Sequence, residues 1–564
     1  MAPPLAPPRI APPAPPPESR AWRIVATLVV FAAVFAASLV VRSREHPDWT
    51  PSGSDWDQWY TSALALTAPM PFPQMRWPLN AWVILGVDTL GPGPLHVSAV
   101  LASLAVTALG AAGAARLGLR LLPAPAALTA VALAYAHPRV ATLAGGIGPY
   151  PLWAAAAVCT VAALVEALAT GSLVWWAACG LGWAAGMASI EKGVGIGLAL
   201  GALLGLVAAV GLLRGPAAQR RAAWRPLVAF ALPVAALVLA YATFTVPLWS
   251  LDDMIHLSLA PTSGVARAQP PGTSGWVFGQ RMDPITLWNT LQLARSNTGA
   301  MATIGIEPLG GLRVPDGVLR GAVVLGAITA VVAGGAATRR LLARSGGRHE
   351  AGAEGTTREN PGIGSAAPIA AGWAGVGVIL LATIPAALTT AVPQVRFLLP
   401  AFLVGPLLLF APFALLPRRA AWLALLALPL CLHPRSPWAG SFWFAPASDA
   451  RPSLIDDALF VRVYRDLERL APGVPIDVAA PRTGGLFLLG ERGGDPLPRP
   501  DLTGVKLTPE RGIVFVVTGA NFAVGAPATN LPVAPGAADL TGRTVLATWG
   551  TPDGALVYLG PVAP

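Results

Sequence analysis

The chain passes through AWRIVATLVVFAAVFAASLVV (residues 21–41) and shortly afterwards through SDWDQWY (54–60). The first run is apolar except for Arg23, Thr27 and Ser38 and has the length, ~20 residues, of a helix that crosses the hydrocarbon core of a bilayer. The second sets Asp55 and Asp57 between Trp56 and Trp59. A span followed at once by carboxylates and aromatics predicts an acidic loop lying on the far surface of a membrane.

Composition extends that reading to the whole chain. Its 564 residues are 54% hydrophobic and 12% charged, with a mean hydropathy of +0.60. A soluble protein of this length carries about 25% charged residues, so most of this surface must meet lipid. Apolar runs recur at 22–41, 92–114, 124–137, 150–169, 173–190, 194–213, 227–249, 319–338, 368–391, 397–416 and 420–433. They predict a polytopic α-helical membrane protein with about eleven transmembrane helices. The runs at 124–137 and 420–433 are short enough to be re-entrant or tilted.

The net charge of +10 belongs to loops between the spans and is no nucleic-acid signal. Arg116 with Arg120, Arg214 with Arg220, Arg221 and Arg225, Arg339 with Arg340, Arg344 and Arg348, and Arg418 with Arg419 form four basic connections. Setting all four inside satisfies the positive-inside tendency. It sends outer loops 42–91 and 250–317, and everything after 433, to the other face. Arg42 and Arg44 then lie outside, offset by Arg9, Arg20 and Arg23 within. The expected location is the inner (plasma) membrane, with a cytoplasmic N-terminus. Trp22, Trp153, Trp175, Trp176, Trp224 and Trp249 fall near predicted span ends, where aromatic side chains suit the interface.

Three units follow: a proline-rich, disordered cytoplasmic tail at 1–20, a transmembrane domain at 21–433, and a small extracytoplasmic α/β domain at 439–564. In the last, 454–470 reads as a helix, and 476–480, 486–489, 513–518, 544–548 and 555–559 read as strands. Residues 345–366 read as a flexible Gly-rich loop. The cysteines, Cys159, Cys179 and Cys431, lie in or beside apolar runs at no metal-ligand spacing and read as small core residues.

An aspartate at an outer membrane surface can serve as a general base toward an acceptor hydroxyl, or hold a divalent metal. Asp55 and Asp57 are alternatives for that role. Lys192 stands out because the chain has only one other lysine, Lys506, and otherwise uses arginine. Lys192 and Arg396 sit at the outer ends of separate spans, where ionisable groups are functional candidates. Cations there would stabilise an anionic phosphate as it leaves. Arg76 is a further candidate for that contact. The acidic, basic and histidine residues of 250–317, including Asp253 and His256, show no metal-ligand spacing.

The order of motifs resembles the membrane glycosyltransferases of the GT-C fold, specifically the family 39-like protein mannosyltransferases and aminoarabinose transferases. The resemblance runs over roughly residues 20–420. It is carried by the acidic first loop, by Arg76-Trp77-Pro78-Leu79-Asn80, and by a span closing on Arg116-Leu117. Pro149-Tyr150-Pro151-Leu152 opens a span as the family's aromatic-Pro-Leu segment does. Gly182 to Gly195 with Glu191-Lys192, and Gln394-Val395-Arg396-Phe397-Leu398-Leu399-Pro400, continue it. Phe397 replaces the usual tyrosine, and Trp77 stands where proline is common.

The resemblance implies transfer of a sugar from a polyprenyl-phosphate-linked donor, at the extracytoplasmic face, to a lipid, glycan or protein acceptor. Asp55 or Asp57 would be the catalytic carboxylate, and Lys192, Arg396 and Arg76 would bind donor phosphate. A cofactor is not implied, and metal dependence stays open. Two other classes fit the composition: a transporter or lipid flippase, and a non-catalytic assembly protein that keeps the fold. The charges gather at outer span ends rather than at the midplane, which favours an interfacial enzyme over a transporter.

Overall fold

The computed structural model describes residues 20–45, 49, 78–91, 94–136, 140, 144, 146, 148–190, 193–214, 224–245, 316–346, 366–388, 398–428, 457–479, 488, 492–494, 497, 502–518, 523–533, 535–551 and 554–562. The helices in chain order are α1 (Arg20–Glu45), α2 (Pro78–Asp88), α3 (Leu95–Leu121), α4 (Ala124–Tyr135), α5 (Tyr150–Thr170), α6 (Leu173–Met187), α7 (Gly193–Arg214), α8 (Trp224–Thr245), α9 (Asp316–Gly346), α10 (Ala366–Leu388) and α11 (Leu399–Leu409). Among the described residues, four segments are long and apolar enough to cross a membrane: Ala21–Ser43, Leu95–Leu121, Tyr150–Thr170 and Ala366–Thr383. Shorter apolar helices surround them, in a polytopic, mainly helical architecture.

Proline and glycine punctuate the helices as their backbone chemistry requires. Pro94, Pro123 and Pro149 each stand just before a first turn, where a missing N–H costs nothing. Gly171 closes α5 at φ 67°, and its N–H reaches the Ala167 carbonyl at 2.8 Å. That left-handed cap folds α6 straight back along α5. α5 packs against both α3 and α6, α8 packs on α6, and α1 packs on α3. Small side chains let these helices approach closely, and close packing is what holds helices together in lipid. The interior of α3, α4, α5, α10 and α11 forms one apolar cluster around the fully buried Trp153.

Two expectations for this region change. Arg116 and Arg120 do not lie in a loop: α3 continues to Leu121 and carries both on its last turns. The helix can do so because both cations find a buried carboxylate, as described below. The last predicted span, 420–433, begins within a 3₁₀ helix, Arg418–Ala427, rather than an α-helix. Its three-residue turn puts Ala421 and Ala424 on one buried line while Trp422, Leu423 and Leu426 stay exposed.

Residues near the C-terminus build a mixed sheet. α12 (Asp457–Leu470) precedes β1 (Ile476–Ala479), β2 (Gly512–Thr518), β3 (Val545–Thr551) and β4 (Gly554–Leu559), in the order β1-β2-β4-β3. β1 is parallel to β2; the other pairings are antiparallel. Strand alternation divides β2 cleanly. Ile513, Phe515 and Val517 face one cluster, closed by Leu502, Ala528, Leu531 and Leu540, and Val514 faces another. Residue 488, within the predicted strand 486–489, is buried but belongs to no strand; its neighbours lie outside the described residues. The Trp549 indole N–H donates to Asp466 Oδ2 at 2.8 Å, tying β3 to α12.

The cluster containing Val514 also reaches the helices. It includes Leu459, Val463 and Leu467 of α12, together with Ala81 and Ile84 of α2 and Ala99 and Val100 of α3. The sheet and α12 therefore share a core with the beginning of α3. Arg116, sixteen residues on from Val100, stands about 24 Å along the same helix.

Candidate functional site

Asp55, Asp57, Arg76, Lys192 and Arg396 all lie outside the described residues, as do Phe397 and the loop 250–315. What the structure does define is the ground on which their neighbours stand. Asn80 lies four residues after Arg76; Ile190 and Gly193 flank Lys192; Leu398 and Leu399 follow Arg396.

Asn80 and Leu399 line two clefts at the first turn of α5. One small cleft, with about 10 Å³ of room for a water-sized group, is lined by Asn80, Val83 and Ile84 of α2, by Ala99, Ala102, Ser103 and Val106 of α3, and by Gly148, Pro151 and Leu152. A second, also of about 10 Å³, lies between Thr107, Gly110, Tyr135, Val140, Pro151, Ala154, Leu399 and Leu403. Pro151 belongs to both. Along α3 the lining positions fall at 99, 102, 103, 106, 107 and 110, which is one helical face. Ile190, Leu398 and Leu399 share the buried cluster of Tyr150 and Trp153. A Cβ built on Gly193 would stand 3.4 Å from the Trp153 ring.

Residues adjoining Arg76 and Arg396 thus line clefts that share Pro151, and a residue adjoining Lys192 stands against Trp153 on the same turn of helix. Nothing in the spacing of the chain announces this. The link is Pro151, at the start of α5, which lines one cleft with α2 and α3 and the other with α3 and α11.

A second polar group escaped the sequence reading. Glu166 is fully buried near the end of α5. It accepts from Arg116 Nε at 2.9 Å, from Arg120 Nε at 2.8 Å and from Arg120 Nη2 at 2.7 Å. The Arg116 guanidinium also lies 5.2 Å from the centre of the Trp175 ring. The signal was available: a single carboxylate inside an otherwise apolar run demands a partner. Arg116 and Arg120, four residues apart on one helical face, are the partners.

Cys179 is a free, buried thiol, as expected of a small core residue, whereas Cys159 is free but only half-buried; Cys431 lies outside the described residues. Among the described residues no three His, Cys, Asp or Glu side chains gather as a metal site.

No family model and no curated protein matches the chain. Solved structures do. ArnT from Cupriavidus metallidurans bound to undecaprenyl phosphate is similar at a TM-score of 0.48 and 14% identity, over 96% of this chain and 98% of that one. The Archaeoglobus fulgidus oligosaccharyltransferase in the apo form is similar at a TM-score of 0.44 and 12% identity, over 85% of this chain and 64% of that one. AglB from the same organism, in complex with an inhibitory peptide and a dolichol-phosphate, is similar at 0.43 and 12%, over 84% and 64%. These neighbours are GT-C fold glycosyltransferases, the class that the order of motifs resembles.

Proposed function

We propose that the chain is a membrane glycosyltransferase that moves a sugar from a polyprenyl-phosphate-linked donor to an acceptor at the extracytoplasmic face. The observation that carries this is the convergence at Pro151. Asn80, beside Arg76, and Leu399, beside Arg396, line the pair of clefts that share Pro151, and Gly193, beside Lys192, stands against Trp153 two residues on.

In this proposal Asp55 or Asp57 orients and deprotonates the acceptor hydroxyl. Lys192 and Arg396, with Arg76, bind the donor phosphate and stabilise the charge that grows on it as the glycosidic bond breaks. Lysine at 192 offers a compact ammonium and arginine at 396 a planar fork, so the two complement each other on a phosphate. The acceptor is a lipid, a glycan or a protein.

The orientation is supported by α3. Its beginning shares a core with α12 and the sheet, and its end carries Arg116 and Arg120. Arginines belong on the cytoplasmic side, which leaves the clefts and the α/β domain on the outer side of the inner membrane.

The test is transfer by the purified protein in liposomes, supplied with polyprenyl-phosphate sugars. The double substitution Asp55→Asn with Asp57→Asn should abolish transfer while leaving membrane insertion intact. Full activity in that variant removes the aspartates from the mechanism. Substrate uptake without sugar transfer would instead assign the chain to a transporter.

A further inference from the structure

The cleft between α2, α3 and the first turn of α5 holds two polar side chains that the described residues do not satisfy. Asn80 and Ser103 are each 7% exposed. The Asn80 Nδ2 and the Ser103 Oγ are both buried and hydrogen-bond to nothing among the described residues. Both residues line the cleft.

Ser103 departs from the habit of most buried hydroxyls here, and unlike Ser98, which donates to Asp88 Oδ1 at 2.8 Å, it has no side-chain acceptor among the described residues either. Thr107 donates to the Ser103 carbonyl at 2.8 Å, Thr160 to Ala156 at 2.7 Å, Ser189 to Gly186 at 2.9 Å, and Thr383 to Ile379 at 2.8 Å. Each returns its proton to its own helix, the cheapest way to hide a hydroxyl in apolar surroundings. Thr129 also lacks a partner, but it lines neither cleft. An unsatisfied donor at a buried position is costly, and two facing one cleft indicate a group that enters it.

The lining fixes the chemistry of that group. Apart from Asn80 and Ser103 the described cleft walls are Val, Ile, Ala, Leu, Gly and Pro, with no charged side chain. A phosphate would find no cation among them. A neutral oxygen of water size that accepts from an amide N–H and shares a hydrogen bond with a serine hydroxyl fits: one hydroxyl of a sugar ring. The position fits as well. Ser103 is three residues from Val100, which packs in the core shared with the sheet and α12, so the cleft lies directly beneath that domain.

We infer that Asn80 and Ser103 are the sugar-hydroxyl contacts of the lipid-linked substrate. This rests on the glycosyltransferase reading for the identity of the substrate, but not for the existence of the site. A pocket built to hydrogen-bond a hydroxyl discriminates strongly against ligands without it, because its polar groups are then left unpaired.

The test uses the full-length protein in nanodiscs and four probes: farnesyl phosphate, and farnesyl phosphate carrying mannose, glucose or arabinose. Thermal stabilisation against probe concentration reads the affinity. At least one sugar-bearing probe should bind more tightly than farnesyl phosphate. In Ser103→Ala and in Asn80→Ala that gain should fall roughly tenfold, with farnesyl phosphate unaffected. Without probe, Ser103→Ala should melt no lower than the parent, since it loses an unpaired hydroxyl. Retention of the sugar-dependent gain in both variants, or no gain from any sugar, overturns the inference. A lower probe-free melting point also overturns it, by revealing a resident water. Sugar-dependent binding without transfer sinks the enzyme reading and leaves the hydroxyl site standing. Transfer with undiminished sugar recognition in both variants does the reverse.

Discussion

Arg120 grips Glu166 with one edge of its guanidinium, Nε to Oε1 at 2.8 Å and Nη2 to Oε2 at 2.7 Å, while Arg116 holds the same Oε1 at 2.9 Å. The carboxylate is fully buried, and the Arg116 side chain is 5% exposed. Such a cluster is expensive to desolvate and more expensive to break. Glu166→Gln keeps the shape and removes the anion both arginines share, so it should cost about 3 kcal/mol or more. Arg120→Gln should cost less, because Arg116 still neutralises the carboxylate. The double variant should cost less than the sum of the two, as interacting partners do. Thermal unfolding in detergent, followed by helical circular dichroism, measures all three. Strict additivity would mean the pair does not interact.

The hydroxyl of Tyr135 rests against α3 where Gly110 leaves room for it. A Cβ at 110 would stand 2.9 Å from that oxygen and 3.2 Å from the Ala155 Cβ. Gly110→Ala should therefore cost about 1–3 kcal/mol by overpacking. The Tyr135 hydroxyl is buried without a partner among the described residues, so Tyr135→Phe alone should be near neutral. Combined, the two changes should recover part of the loss, the remainder being the Ala155 contact. If Tyr135→Phe gives no relief, the crowding arises elsewhere.

The bond from Trp549 to Asp466 joins β3 to α12 across 83 positions of sequence. Asp466→Ala leaves the indole N–H in a largely buried place, at a cost of about 1 kcal/mol. Pulse proteolysis with thermolysin, with peptides from 457–562 identified by mass spectrometry, should show that region cut at lower denaturant. Unchanged cutting would make the bond dispensable.

The domain should weaken at alkaline pH because of Tyr558. Burial raises its phenol above the ordinary 10.0, with the Arg492 and Arg543 charges opposing in part. The unfolded chain then releases this proton before the folded one does. Stability from this group is complete below about pH 10 and falls as pH rises toward the raised folded value. Tyr558→Phe should flatten that alkaline decline and change little at neutral pH, the hydroxyl being unpaired among the described residues. Pulse proteolysis between pH 8 and 11 compares the two proteins; parallel declines would acquit Tyr558.

Much of the helical architecture was legible in the sequence, because an apolar run long enough to cross lipid has few alternatives to a helix. Each predicted span up to 368–391 overlaps an α-helix, whereas 397–416 is α-helical only over Leu399–Leu409 before a 3₁₀ turn at Ala411–Ala414, and 420–433 begins in a 3₁₀ helix. The strands at 476–480, 513–518, 544–548 and 555–559 were legible for a similar local reason: β-branched alternation between turn residues. The candidate site was legible only in part. The motif segments could be picked out one by one, but Asn80 was merely the last letter of one of them, and Ser103 and Glu166 drew no notice.

The amino-acid order alone determined where the chain is apolar, where it is charged, and hence which segments become helices, since those are properties of consecutive residues. Only the tertiary structure decided that Glu166 answers two arginines 46 and 50 positions away, and that Asn80 and Ser103 answer to nothing among the described residues. Hydrogen-bond satisfaction is a property of neighbours in space, and no local pattern records which donor ends up without one.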